Sequence, residues 1–252
     1  MPIFQTGVTP AAAGTTITEL SDWTTRSAGS DGDYLVYTPT GRLYVYSSDI
    51  GEWVDPRVQA GSPTLVVSIP GTEDGAALTD AGWSVTTSGA GAITSTGGYT
   101  KFSANSGDTA YAIFNHATNG QRYFCGYGRI ENPTGSQDGT YFAYSDADGA
   151  ADERYSHAAS GHDGTKWQQY NGNATYIGIA VRTVDPTANT WIELVVDETG
   201  VELYADHELV SSCLTTAGRG IGGLTRWLFG DGGGGGGGDT FVKEGRCVAW
   251  TP

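Results

Sequence analysis

Three features of this sequence predict an all-β chain in which a small N-terminal β-meander module precedes a larger two-sheet domain. Strand-like runs recur about every ten residues from Leu65 onward. No segment keeps a 3.6-residue apolar period over three turns. The 39 glycines accompany 7 Trp, 14 Tyr and 7 Phe. That composition is too aromatic for a disordered chain and too rich in turn formers for a helical one.

Residues 1 to about 25 are rich in Thr and Ala and read as an arm. "GDYLVYTPTGRLYVYSSDIGEWVDP", Gly32 to Pro56, follows. Its runs "YLVY" and "RLYVYS" alternate around the turn "TPTG", and a second turn leads to "EWV". This predicts a three-stranded meander, too small to be stable without a neighbouring domain or chain. "RVQAGSPT", Arg57 to Thr64, reads as the linker, which gives an N-terminal arm and docking module over residues 1–60 and a larger domain over 61–252. The larger domain's strand candidates are "TLVVSIP", "GWSVTTS", "AITSTG", "YTKFSA", "TAYAIFNH", "RYFCGYGRIE", "TYFAYSDA", "TKWQQYN", "YIGIAVRTV", "TWIELVVDE", "GVELYADHELV", "RWLFGD" and "GRCVAWT". Between the last two lie seven consecutive glycines, Gly232 to Gly238, flanked by Asp231 and Asp239. They read as a connector, since loop-closure entropy grows only logarithmically with length. The alternative is a recognition surface, because a backbone without side chains offers dense amide and carbonyl groups.

A formal net charge of −15 argues against nucleic acid and anionic lipid as partners. No 18-residue apolar run is present, so no membrane insertion is expected. The N-terminus lacks a basic region followed by an apolar one, which predicts a protein made in the cytoplasm without a signal peptide. Cys125, Cys213 and Cys247 are an odd, widely spaced set. They predict reduced, half-buried thiols rather than a disulfide framework or a metal site.

Catalytic signatures are absent. No strand carries carboxylates at alternate positions as a glycosidase pair, and Glu193, Asp197 and Glu198 are wrongly spaced for that role. Asp146 and Asp148 before Gly149 lack the remaining ligands of a calcium loop. His116, His157, His162 and His207 form no metal motif, and there is no nucleophile elbow or phosphate-binding loop. The sequence therefore predicts no catalytic residues, no metal and no cofactor. Sugar binding needs aromatic surface beside amides and carboxylates. "GHDGTKWQQYNGNATY" supplies both: Trp167 and Tyr170 stand among Asp163, Gln168 and Asn171. These five, with Asp231 and Asp239, are the candidate glycan ligands. The alternative is that Trp167 is core and its neighbours form a turn. Trp227 reads as core.

Two stretches carry resemblances. "NTWIELVVDETGVELYADHELVSS", Asn189 to Ser212, resembles the central hairpin of concanavalin A-like (laminin G-like) jelly rolls. Trp191, Ile192, Leu194, Val196, Gly200, Val201, Leu203, Tyr204, Asp206, Leu209 and Val210 fill the pattern, and His207 stands where that family has Gly. "RWLFGD…GRCVAW" is similar to the family's closing pair of strands. In the first module, Asp33, Thr40, Gly41, Tyr44, Tyr46, Trp53 and Val54 match a short module found in bacteriophage tail and fibre proteins. Together the resemblances imply a non-enzymatic virion-surface protein. Residues 1–60 would dock on other virion proteins, in a homo-oligomer, while a concanavalin A-like jelly roll binds host-surface polysaccharide. The alternatives are a purely structural capsid decoration or head-fibre protein, and a glycan-active hydrolase.

Overall fold

The computed structural model describes residues 15–105, 107–116, 121–134, 140–145, 159–162, 167–171, 175–176, 189–197, 200–214, 226–231 and 237–251. Met1–Leu65 with Trp250–Pro252 form one compact unit, and Val66–Ala249 form a second.

The first unit holds four strands. β1 (Ile17–Leu20) lies parallel to β2 (Tyr34–Tyr37), which pairs antiparallel with β3 (Arg42–Ser47), and β3 with β4 (Glu52–Val54). The sequence predicted only the last three. β1 was read as part of the arm because its two apolar residues, Ile17 and Leu20, do not alternate, and all but Leu20 are exposed. The core is also fuller than a bare meander, with Trp23, Leu35, Tyr44, Ile50, Trp53, Val54 and Val58 buried. The residues of the N-terminal motif build this unit. Asp33 accepts the amides of Thr16 (2.9 Å) and Ser30 (2.8 Å). Gly41 supplies the left-handed residue of the β2–β3 turn. Tyr46 packs edge-on against Trp53, whose indole donates to the Ser27 carbonyl at 2.8 Å.

Part of the expected linker is helix α1 (Pro56–Ala60), and the rest begins strand β5 (Ser62–Ile69). Pro56 sits in the first turn, where its missing N–H costs nothing, and Asp55 caps the Arg57 amide. Burial opposes ionisation of Asp55. The Arg57 hydrogen bond and the charges of Arg42 and Arg57 nevertheless hold its carboxyl below the ordinary value.

In the second unit helix α2 (Gly75–Asp80) is followed by β6 (Ser84–Ser88), β7 (Ala92–Thr96), β8 (Tyr99–Ala104), β9 (Thr109–Asn115), β10 (Gln121–Thr134) and β11 (Thr140–Ser145). Then come β12 (Ala159–His162), β13 (Trp167–Asn171), β14 (Thr175–Tyr176), β15 (Thr190–Val196), β16 (Gly200–Ala205), β17 (Glu208–Leu214), β18 (Arg226–Asp231) and β19 (Gly237–Thr251). An eight-stranded sheet runs β17-β16-β15-β10-β19-β8-β7, with β5 beside β19, and a seven-stranded sheet runs β14-β13-β12-β11-β18-β9-β6. The chain crosses between sheets at β5–β6, β6–β7, β8–β9, β9–β10, β10–β11, β14–β15, β17–β18 and β18–β19, which is the winding of a jelly roll. All-β architecture with a two-sheet jelly roll is therefore what the chain adopts.

The core lies between these sheets. Phe102, Phe124, Ile192, Leu194, Val196 and Leu203 face Ala110, Ala112, Trp227 and Phe229. Gly126 and Gly245 meet above Phe124, and a Cβ on Gly126 would lie 2.7 Å from the Gly245 Cα. Cys125 and Cys247 are free thiols, as expected, but fully rather than half buried, and burial together with the neighbouring Cys125 raises the Cys247 thiol well above its ordinary value. The side chain of Cys213 lies outside the described residues.

Two expectations for the closing strands are corrected. β18 and β19 belong to different sheets rather than forming an adjacent pair, so the segment between them is an inter-sheet crossing. The seven glycines are not all connector either. Gly237 and Gly238 begin β19, where Gly238 pairs with Ala104, while Gly232–Gly236 lie outside the described residues.

Candidate functional site

The sequence-derived glycan candidates are distributed over both sheets. Trp167, Gln168, Tyr170 and Asn171 share β13, whose backbone pairs His162↔Trp167, Gly161↔Gln168 and Ala159↔Tyr170. Asp163 lies outside the described residues. Asp231 ends β18, paired with Ala110 and Thr140 in the seven-stranded sheet. Asp239 is on β19 in the eight-stranded sheet, where its carboxylate meets Lys101 Nζ at 3.0 Å. The two aspartates that flank the glycines thus stand on opposite sheets.

A second constellation was not anticipated. In the eight-stranded sheet Phe102, Phe124, Ile192, Leu194, Leu203 and Val242 point into the core. Strand alternation then sends Tyr99 and Lys101 (β8), Tyr123, Cys125, Tyr127 and Arg129 (β10), Trp191, Glu193 and Val195 (β15), and Asp239, Phe241 and Lys243 (β19) to the outer face. Val242 and Cys247 are both core residues although five apart, so one extra residue interrupts the alternation. Glu244, at φ +55°, provides that bulge.

At one end of this face the groups are polar and boxed. Tyr123 Oη donates to Glu193 Oε1 at 2.6 Å, and His207 Nδ1 lies 4.0 Å from Glu193 Oε2. Glu193 has no solvent-exposed surface. His207 occupies the β16–β17 turn with φ +67°, next to Asp206 at φ +48°. Both are left-handed, as a two-residue turn of the primed type requires. The glycine expected there is replaced by a residue held in place. The His207 ring stacks on Trp191, and the Asp206 carboxylate accepts the Trp191 amide at 3.1 Å.

At the other end cations rest on rings. Arg129 lies over Phe241 (4.3 Å to the centroid) and Tyr99 (4.6 Å), which meet edge-to-face at 6.0 Å. Lys101 covers Phe241 at 5.5 Å and Lys243 covers Tyr99 at 5.9 Å. The rings are almost fully buried, so the surface presented outward is charged. Tyr127, edge-on to Trp191 at 5.1 Å, links the two ends.

Two further ionisable groups stand out. Glu73, between β5 and α2, has its carboxyl pushed up to about 7 by burial, and its Oε2 is buried without a hydrogen bond. Burial, and then the charge of Arg122, lowers the His116 imidazole. Alternation within "YTKFSA" could have placed Tyr99 and Lys101 on one face. The pairing of β8, β19 and β10 that assembles the cluster is non-local and leaves no sequence signal.

No family model matches this chain, and no curated protein matches it. Solved structures do. A mutant of Trypanosoma rangeli sialidase displaying trans-sialidase activity is 12% identical over 60% of this chain, at TM-score 0.44, and the chain spans 27% of that protein's length. A carbohydrate esterase from Shiga toxin-encoding bacteriophage phi24B is 11% identical, with 76% of this chain and 100% of that one covered, at TM-score 0.45. The carbohydrate recognition domain of Emp47p is 11% identical, with 66% and 88% covered, at TM-score 0.45. Likeness at this level transfers no activity, ligand or partner to this chain.

Proposed function

We propose that this is a non-enzymatic glycan-binding protein displayed on a particle surface, with residues 1–60 docking on other virion proteins or on copies of the chain. The observation that carries the binding half is the outer face of the eight-stranded sheet, where Lys101, Arg129, Lys243, Asp239 and Glu131 present donors and acceptors side by side above buried rings. Sugars are recognised by such mixed polar groups. The non-enzymatic half is supported by Glu193, which is fully buried and already hydrogen-bonded, out of reach of a glycosidic bond. The motif residues Asp33, Gly41, Tyr46 and Trp53 support the docking half only through the resemblance they carry.

A glycan array with the full chain tests the binding, and reducing-sugar release tests for catalysis. Signal on saccharides without release is expected, and release would replace the reading with a hydrolase. One observation favours a purely structural decoration protein. The Tyr123–Glu193–Trp191 end of the face is buried, as the interior of an architectural domain would be. An empty array with the protein retained in purified particles supports that second reading.

A further inference from the structure

We infer that Arg129 and Lys243 form an anion-recognition site for an acidic polysaccharide, a deepening that rests on the glycan-binding reading above. The chain carries only 13 Lys and Arg against 28 Asp and Glu. Three of these cations, Lys101, Arg129 and Lys243, nevertheless converge from three strands on the Tyr99–Phe241 pair. They differ in how far the protein itself satisfies them. Lys101 is committed to Asp239 at 3.0 Å. Lys243 approaches Glu244 only to 3.6 Å, and its side chain is 37% exposed.

Arg129 is the least satisfied. Its Nε lies 2.9 Å from Glu131 Oε1, yet that atom is buried and makes no hydrogen bond, so the contact is an ion pair with poor alignment. A guanidinium has five N–H donors in a rigid fork. Here the two rings fix its plane, and its side chain is 27% exposed. The enclosed Nε is out of a ligand's reach, and the partly exposed end of this planar, pre-positioned fork suits capture of a carboxylate or a sulfate.

The surroundings favour a saccharide over a nucleic acid. Asp239, Glu131 and Glu244 stand among the cations and repel a dense phosphate chain, whose binding requires many uncompensated Lys and Arg contacts. The same carboxylates accept hydrogen bonds from sugar hydroxyls. Adjacent strands lie about 4.8 Å apart, so sites on β10 and β19 offer contacts to neighbouring units of one polymer.

The test is affinity electrophoresis and calorimetry of the full chain. The probes are polygalacturonate (carboxylate), dextran sulfate (sulfate), dextran (neutral) and a dT20 oligonucleotide, with Arg129→Gln, Arg129→Lys and Lys243→Gln beside the wild type. Expected is retention by one or both acidic polysaccharides and not by dextran. The dissociation constant should rise about tenfold in Arg129→Gln and about threefold in Lys243→Gln, with an unchanged melting temperature. Arg129→Lys keeps the charge but not the fork and should recover only part of the loss. If Arg129→Gln does not fold, Arg129→Lys and Lys243→Gln carry the test. Equal retention by dextran, untouched by these variants, would overturn the anionic site and leave glycan binding standing. Binding of dT20 alone, lost in Arg129→Gln, would overturn it in favour of nucleic acid. No retention by any polysaccharide, on these probes or the array, would overturn both readings.

Discussion

Arg26 and Arg129 are two arginines with aromatic neighbours and carboxylate partners, and the protein uses them in opposite ways. In the first unit Arg26 lies 5.2 Å over Trp23 and grips Glu52 with two hydrogen bonds, Nε–Oε1 at 3.0 Å and Nη2–Oε2 at 2.8 Å. A further donor reaches the Trp23 carbonyl. In the second unit Arg129 is held by two rings, and no hydrogen bond from its Nε is formed. A guanidinium whose donors are filled internally is architecture. One that is positioned by packing, with its side chain partly exposed, is available for work at the surface. Two arginines with the same composition of neighbours are thus told apart by hydrogen-bond geometry.

The largest expected effect breaks the architectural side of this contrast. Glu52→Ala removes the partner of a nearly buried guanidinium and should destabilise the first unit by roughly 3–5 kcal/mol. Hydrogen-exchange protection of the β2–β4 amides measures this. Arg129→Gln, by comparison, should cost under about 1 kcal/mol in the second unit. Equal costs for the two would end the distinction.

The His207 turn asks how a strained residue is kept. His207→Ala retains the left-handed strain but loses the stack on Trp191, and should cost about 2 kcal/mol. His207→Gly also loses the stack yet adopts the conformation freely, so it should be more stable than the Ala variant by about 1 kcal/mol. Urea titrations of the two variants give the order.

Glu73 sharpens the comparison through pH. Its folded-state value of about 7 lies above the ordinary 4.5. The folded protein therefore holds this proton more tightly than the unfolded chain, and stability falls as pH rises from about 4.5 through 7. Glu73→Gln should melt with the wild type at pH 4 and above it at pH 8. Parallel melting curves at both values would show that the carboxyl is not buried. The smallest effect belongs to the inter-sheet crossing. Deleting two residues from Gly232–Gly236 should shift stability by about 0.5 kcal/mol or less. A larger loss in thermal melts would show that these glycines do more than connect.

The sequence showed clearly those features that depend on neighbours along the chain. The β2–β3 hairpin announced itself through "TPTG", and the β15–β16 hairpin through Trp191, the alternating Ile192, Leu194 and Val196, and Gly200. β1 was missed because Ile17 and Leu20, three apart in a four-residue edge strand, give no apolar alternation to read. Helix α1 was read as linker because Asp55-Pro56 signals a stop and a helix start equally well. The outer-face cluster was missed for a deeper reason. Lys101, Arg129 and Phe241 become neighbours only when β8, β19 and β10 pair, and sheet order is decided by long-range closure that no local pattern encodes. His207 was seen as an irregularity against the hairpin pattern. Its explanation needed Trp191 and Glu193, which reach it through the folded sheet.

The first unit is not contiguous in sequence. Its last residues, Trp250–Pro252, follow the whole of the second unit in sequence, and Gly61 packs so closely on the Thr251 carbonyl that no side chain fits there. Its two pieces are separated in sequence by the whole of the second unit, so its four strands are translated well before the piece that completes it. The contacts between Gly61 and Thr251 can therefore form only after β6–β18 have been made. A chain cut short before Trp250 would lack that piece, and the defect would appear at Gly61, in the first unit.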